Sequence, residues 1–221
     1  MSDGTDREAV RRSYDEVAED YAARIGDELD HKPLDRALLG ALVEQAGTDA
    51  PVADIGCGPG HVAAFLAGLG AAAVGVDLSP RMVALGRRDH PEVEFREGDF
   101  LSLPAADAEF AAAVALYSII HLGPDELRPA FEEVRRALRP SGRFLVSFHV
   151  GSEVRHLDEW WGHDVDIDFC FLEPDDVAAS LEAVGFVVEA RLERASYPEE
   201  VETRRAYLVA RRTPPVRAHG R

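Results

Sequence analysis

VADIGCGPGHVAAFLA, residues Val52–Ala67, is a short apolar strand that breaks into a glycine-rich turn and resumes as a helix. Its three glycines, Gly56, Gly58 and Gly60, permit backbone conformations that a Cβ blocks and let a ligand lie directly against the main chain. The spacing is GxGxG rather than the GxGxxG of dinucleotide sites, and an acid, Asp54, stands two residues ahead of the first glycine. A carboxylate there repels a pyrophosphate at the following helix N-terminus and suits a cation.

Strand, D-x-G-x-G-x-G loop and helix together resemble the first motif of the class I S-adenosylmethionine-dependent methyltransferases, whose ligand carries an ammonium group where a dinucleotide carries phosphates. The resemblance sets Asp54 and the Gly56 carbonyl beside that ammonium, with Cys57, Gly58 and Gly60 completing the cradle. Downstream, AAAVGVDLSPRMV (Ala71–Val83) reads as a second strand ending in Asp77 and a helix opened by Ser79 and Pro80. An acid there is placed to accept hydrogen bonds from both ribose hydroxyls, a feature shared with NAD enzymes. Leu78 is a further cofactor residue, and Met82 packs on the adenine. VEFREGDFLSLP (Val93–Pro104) resembles the family's third strand and its Gly-Asp-hydrophobic segment, which implies that Asp99 and Phe100 hold the adenine.

Further matches follow in order. FAAAVALYSIIHL (Phe110–Leu122) looks like the fourth strand, with Tyr117 as a cofactor residue at its end. ALRPSGRFLVSF (Ala137–Phe148) looks like a helix end, glycine turn and fifth strand. EPDDVAASLEAVGFVVEARLER (Glu173–Arg194) and RRAYLVARR (Arg204–Arg212) resemble the last helix with the sixth strand, and the antiparallel seventh. The resemblance spans roughly residues 50–211 and implies an α/β fold. The expected architecture is a Rossmann-like three-layer sandwich with a seven-stranded, mostly parallel sheet, its last strand antiparallel, preceded by an N-terminal helical lid.

At 221 residues the chain suits one α/β domain with a small cap rather than two full domains. A net charge of -17 disfavours nucleic acid as a partner. The two cysteines, Cys57 and Cys170, lack metal-like spacing, so no metal is expected. No apolar run approaches a bilayer span and the first residues lack a signal core. These features predict a cytoplasmic protein without a membrane partner, as a monomer or homodimer.

Val10, Tyr14, Val17, Ala18, Tyr21 and Ile25 recur at helical spacing, which predicts an amphipathic helix over residues 7–25. A second helix follows over about 34–45. We therefore expect a lid over residues 1–46, a core over 47–212 and a disordered tail over 213–221. Tyr21, within YDEVAEDY, resembles a family pattern that offers a phenol to the methionine part of the cofactor. Lys32, the only lysine in the chain, either pairs with an acidic ligand group or is solvated.

Regular strand-helix alternation fails between His149 and Leu172, where both tryptophans and three of the eight histidines gather. Beyond the carboxyl end of a sheet strand, such a segment reads as a substrate-binding insertion (149–172). His156, Trp160, Trp161 and Phe169 within it, together with Tyr14 of the first helix, are the candidate substrate residues. His121 and His149, each just past a central strand, are the candidate catalytic bases, needed where the acceptor is a hydroxyl or protonated amine. The expected reaction is S-adenosylmethionine-dependent methyl transfer to oxygen or nitrogen of a small molecule or short peptide. An NAD-type oxidoreductase and a cofactor-binding protein without catalysis are the alternatives.

Overall fold

The computed structural model describes residues 6–214. Helix α1 (Arg7–Ile25) starts at Asp6, whose carboxylate accepts from the amides of Glu8 and Ala9, and it buries Val10, Ser13, Val17 and Ala18 along one face. A 3-10 turn (Glu28–His31) leads into α2 (Pro33–Ala46), which has proline in its first turn. Strands and helices then alternate: β1 (Val52–Ile55), α3 (His61–Gly68), β2 (Ala73–Asp77), α4 (Pro80–Asp89), β3 (Glu94–Glu97), β4 (Phe110–Leu116), α5 (Pro124–Ala137) and β5 (Leu138–His149). A hairpin, β6 (Val154–Trp160) and β7 (His163–Cys170), precedes α6 (Pro174–Ala183), β8 (Phe186–Arg194) and β9 (Arg205–Arg212).

The main sheet has the order β3-β2-β1-β4-β5-β9-β8. Strands β1 to β5 pair in parallel, and β9 runs antiparallel to both β5 and β8. The expected fold stands. All four residues of β1 are buried, as are Phe110–Ala115 of β4, because helices cover both faces of a parallel sheet. On one face Ala113 and Ala115 join Phe131, Phe144 and Phe148; on the other Ala112 and Val114 join Leu39, Leu66 and Leu145. Helix α2 is therefore a layer of the sandwich through Leu39 and Leu42, and it is α1 that extends over the crevice. Chain order reverses between β1 and β4, which opens that crevice at their carboxyl ends.

Two details differ from the sequence reading. The glycine turn expected before the fifth strand is absorbed into β5, which pairs from Leu138 and then slips its register opposite Phe110 and Ala112. The 149–172 segment forms its own two-stranded sheet. Its two-residue loop, Trp161-Gly162, has φ of 55° and 85°, the positive values a tight hairpin turn requires. Ser13 Oγ donates to the Asp166 carbonyl at 3.2 Å and accepts from the Asp166 amide at 3.0 Å, joining this hairpin to α1. Of the expected tail, Thr213 donates from Nα and Oγ1 to the Gly185 carbonyl, and residues 215–221 lie outside the described residues. Among the described residues no helix is long and apolar enough to cross a membrane.

Candidate active site

The crevice is a cavity of about 480 Å³ bounded by α1, the glycine loop, the ends of β4 and β5, the hairpin and the 195–204 strap. Its floor is set by Gly56, at φ 72°, where a Cβ would lie 2.3 Å from Ser118 Cβ. Ser118 in turn donates to the Ile55 carbonyl at 2.8 Å, so β1 and β4 meet too closely there for any side chain. Gly60, at φ 91°, is equally restricted, its missing Cβ falling 2.4 Å from Phe95.

Two carboxylates point into this cradle. Asp77 accepts from the Gly58 amide on Oδ2 and the Ser79 amide on Oδ1, both at 2.8 Å, which leaves a lone pair on each oxygen for a further donor. Burial pushes it up to about 6 against the pull of those amides. Asp54 is buried, with Oδ2 lacking any partner. Burial first, and the neighbouring Asp77 second, push it up to about 8. At the far end Asp99 accepts from the Leu101 amide at 2.8 Å and faces Arg7 Nε at 3.8 Å; Leu78 and Phe100 line the cavity beside it.

Above the cradle stand Tyr14 and Tyr21 of α1. Tyr14 Oη lies 2.7 Å from His121 Nε2, and His121 Nδ1 lies 2.9 Å from the Asp168 carbonyl. A carbonyl only accepts, so Nδ1 carries the proton and Nε2 accepts from the Tyr14 phenol. Burial lowers His121 to about 4, which keeps the ring neutral at physiological pH. His149, bonded to Thr203 Oγ1 at 2.8 Å and stacked on Phe171, is lowered to about 4 by burial and by Arg205. Trp160, Trp161 and Phe169 bring the hairpin to the cavity, and Tyr117, at φ 55°, closes the β4 end.

Several expectations need correction. Met82 is fully buried in a small cluster with Ala18 and Leu85 and does not reach the cavity, because the side chains of α4 one turn beyond Ser79 point under α1. His156 is exposed on the outer hairpin strand and pairs with Asp168 Oδ1 at 3.0 Å. The Cys57 thiol packs into the core beside Phe95, so that residue can offer a ligand only backbone. Lys32 is not solvated: its Nζ is buried 2.7 Å from Glu28 and 3.5 Å from Glu200. The sequence reading missed Arg7, Glu28, His61, Arg205 and the strap residues Tyr197, Glu199, Glu200 and Val201, all at the cavity wall. His61, directly after Gly60, was signalled by position. The strap carries no motif, yet its Glu200 takes Arg194 at 2.6 Å and the Tyr197 amide at 2.7 Å, and these outweigh burial to hold it at about 2.

Residues 52–142 match the family model described as a methyltransferase domain, the stretch that carries the cradle, both upper carboxylates and His121. Over that stretch the chain is similar in sequence to methyltransferases. It is 32% identical over 146 residues to a demethylmenaquinone methyltransferase of Chlorobaculum parvum, covering 62% of this chain and 58% of that protein. The chain spans between about half and three fifths of the length of the first curated relatives it matches. In fold it is similar to a magnesium protoporphyrin IX methyltransferase of Synechocystis solved with bound S-adenosylmethionine, at TM-score 0.70 and 19% identity over 96% of this chain and 99% of that one. A [4+2]-cyclase superposes as well, at TM-score 0.72 and 20% identity over 94% of this chain and 97% of that one, so the architecture alone does not select a reaction.

The residues present fit the family's cofactor. An unpartnered buried carboxylate oxygen at Asp54 is a partner for an ammonium, and Asp77 retains acceptor capacity for two hydroxyls. The sub-3 Å space at Gly56 admits backbone contact only.

Proposed function

We propose that this protein binds S-adenosylmethionine in the cradle and catalyses methyl transfer to an oxygen or nitrogen nucleophile of a small molecule or short peptide. The observation that carries the reading is Asp54 Oδ2, a buried acceptor with no partner in the protein. Such a group costs about 1–3 kcal/mol unless a ligand satisfies it, and a cation does so best. A dinucleotide's pyrophosphate brings no cation to this carboxyl and is opposed by its ionised form.

In this reading Asp54 and the Gly56 carbonyl hold the ammonium, Asp77 the ribose and Asp99 with Phe100 the adenine. When bound, the cofactor supplies an electrophilic methyl group on a sulfonium. Tyr21 covers the methionine end, and α1 with the hairpin excludes water from the reacting centre. Tyr14 presents its oxygen to the acceptor while donating its own proton to His121 Nε2. A hydroxyl or N–H acceptor that loses its proton to Tyr14 passes the charge to His121, whose Nδ1–H is fixed on Asp168.

Calorimetric titration with S-adenosylhomocysteine and with NADH tests the reading. Saturable binding of the first and none of the second is expected. Indifference to S-adenosylhomocysteine together with binding of NADH would overturn it, and methyl incorporation from labelled cofactor separates an active enzyme from a binding protein.

A further inference from the structure

The acceptor side of the cavity has a composition of its own. Tyr14, His121, Trp160 and Phe169 form a continuous wall of edge-to-face rings: Tyr14–His121 at 5.2 Å between centroids, Tyr14–Trp160 at 5.7 Å, Trp160–Phe169 at 5.5 Å and His121–Phe169 at 5.0 Å. The rings come from α1, the β4 end and the hairpin, three elements far apart in sequence. Edge-to-face neighbours turn alternate faces and edges toward the shared space, the geometry with which aromatic groups receive another ring. His149 and Tyr117, 5.2 Å apart, line the same cavity at the ends of β5 and β4.

The buried charges at the β4 and β5 ends of this chamber have partners within the protein, while Arg24 lies over the Trp161 ring at 4.6 Å. Lys32 is taken by Glu28 and Glu200. Arg205 donates to the Thr203 and Val201 carbonyls at 2.8 and 3.0 Å and lies 3.3 Å from Glu200, which also holds Arg194. Glu28 is shared by Lys32 and His61. Both histidines facing the chamber are kept neutral by burial. A carboxylate or ammonium seated at the β4 and β5 ends, against Lys32, Glu28, Glu200 or Arg205, would have to break one of these buried pairs, at a cost of several kcal/mol in lost charge solvation.

We infer that the acceptor is a flat, conjugated ring system without a formal charge, bearing the hydroxyl or N–H that is methylated, and that the Tyr14–His121–Trp160–Phe169 wall selects it. This rests on the methyltransferase reading above and deepens it to a substrate class. Planarity is read by ring contact and charge is rejected by the closed ion pairs, so shape and charge are two separable criteria.

The chain's two tryptophans, Trp160 and Trp161, both line the cavity, so intrinsic fluorescence reports on this chamber alone. The full-length protein is first titrated with S-adenosylhomocysteine by calorimetry and then, saturated with it, with three probes of one skeleton. These are 2-naphthol, the saturated decahydro-2-naphthol and the charged 2-naphthoate. Saturable binding of 2-naphthol with fluorescence quenching is expected, about tenfold tighter than either analogue. Trp160→Leu and Phe169→Leu are each expected to weaken 2-naphthol about two- to tenfold, the equivalent of one lost aromatic pair. Their affinity for S-adenosylhomocysteine, unchanged within about twofold, shows that they are folded.

Equal or tighter binding of the saturated or the charged probe overturns the inference, as does the absence of saturable 2-naphthol binding. If S-adenosylhomocysteine binds in those cases, the methyltransferase reading stands and only the substrate class falls. If S-adenosylhomocysteine fails to bind, the reading falls and takes the inference with it.

Discussion

Cofactor binding should expel a proton, and the amount follows from Asp54. With its carboxyl pushed up to about 8 by burial and by Asp77, the free protein at pH 7 carries Asp54 about 0.9 protonated. An ammonium placed against Oδ2 favours the ionised form, so binding of S-adenosylhomocysteine at pH 7 should release about 0.9 proton. Asp77, at about 6, is by then mostly ionised and contributes little. Calorimetry in phosphate and in Tris at pH 7 reads this number as the slope of observed enthalpy against buffer ionisation enthalpy. The same linkage requires affinity to rise about fivefold from pH 7 to 8 and about twofold beyond, then level off. Asp54→Asn keeps the side-chain shape and should abolish both the proton release and the pH dependence while weakening binding at pH 8. A buffer-independent enthalpy at pH 7, or the same proton release in Asp54→Asn, would refute the assignment of Asp54 to the ammonium.

The free protein should also lose stability as pH rises from about 7 to 8. Asp54 has its folded value raised above its unfolded one, so its contribution is full at low pH and is lost as pH climbs toward 8, at up to about 1.4 kcal/mol per unit. His121 and His149 act oppositely below about 7, where the unfolded chain takes up protons that the folded one refuses, so the decline from Asp54 shows cleanly between about pH 7 and 8. Urea denaturation over that range should show the decline, and Asp54→Asn should flatten it. Asp77→Ala removes the acceptor of both ribose hydroxyls and is expected to weaken S-adenosylhomocysteine by about 3 kcal/mol, on the order of 100-fold, with native circular dichroism; unchanged affinity removes the assignment. His121→Ala should lower kcat more than cofactor affinity, within the 10²–10⁴-fold range typical of general acid–base groups, and an unaltered rate returns His121 to a structural role.

What the sequence made legible was the part of the site built by backbone. The glycine loop, the acid closing β2 and the Gly-Asp-Phe segment each occupy a fixed place at the end of a strand. Strand order brings those ends together without reference to any side-chain packing. Asp54 and Asp77 were therefore located by their place in strand and loop, and Asp99 by the resemblance of its segment to a known family. Side-chain direction was harder. Met82 and Cys57 sit in the right stretches of chain, but α4 turns Met82 under α1 and the loop turns the Cys57 thiol toward Phe95. His156 fails for a similar reason: on β6 it occupies the outer strand, paired with Asp168 rather than facing the cavity. Alternation along a strand does not say which of its faces meets a helix from another part of the chain.

The ion-pair network was the least legible, because beyond the Glu28–Lys32 neighbours its members come from stretches of chain that only the fold brings together. Lys32 follows the 3-10 turn, Glu28 lies within it, His61 opens α3, Glu200 is on the strap and Arg205 begins β9. Each alone reads as a solvated surface charge, the usual state of such residues. Buried together they must be paired, since an ion left alone at that depth costs several kcal/mol. That requirement has a functional edge. Where the buried charges are matched inside the protein they offer an incoming acceptor little electrostatic anchor, so discrimination there falls to ring contacts and to the proton held between Tyr14 and His121. In the cradle the balance is reversed: Asp54 Oδ2 has no partner within the protein, and in the proposed reading the ligand's ammonium supplies one. On the proposed reading one cavity thus divides into an end whose unpartnered carboxyl oxygen suits a cation and an end walled by rings, which sets the orientation in which cofactor and acceptor would share it.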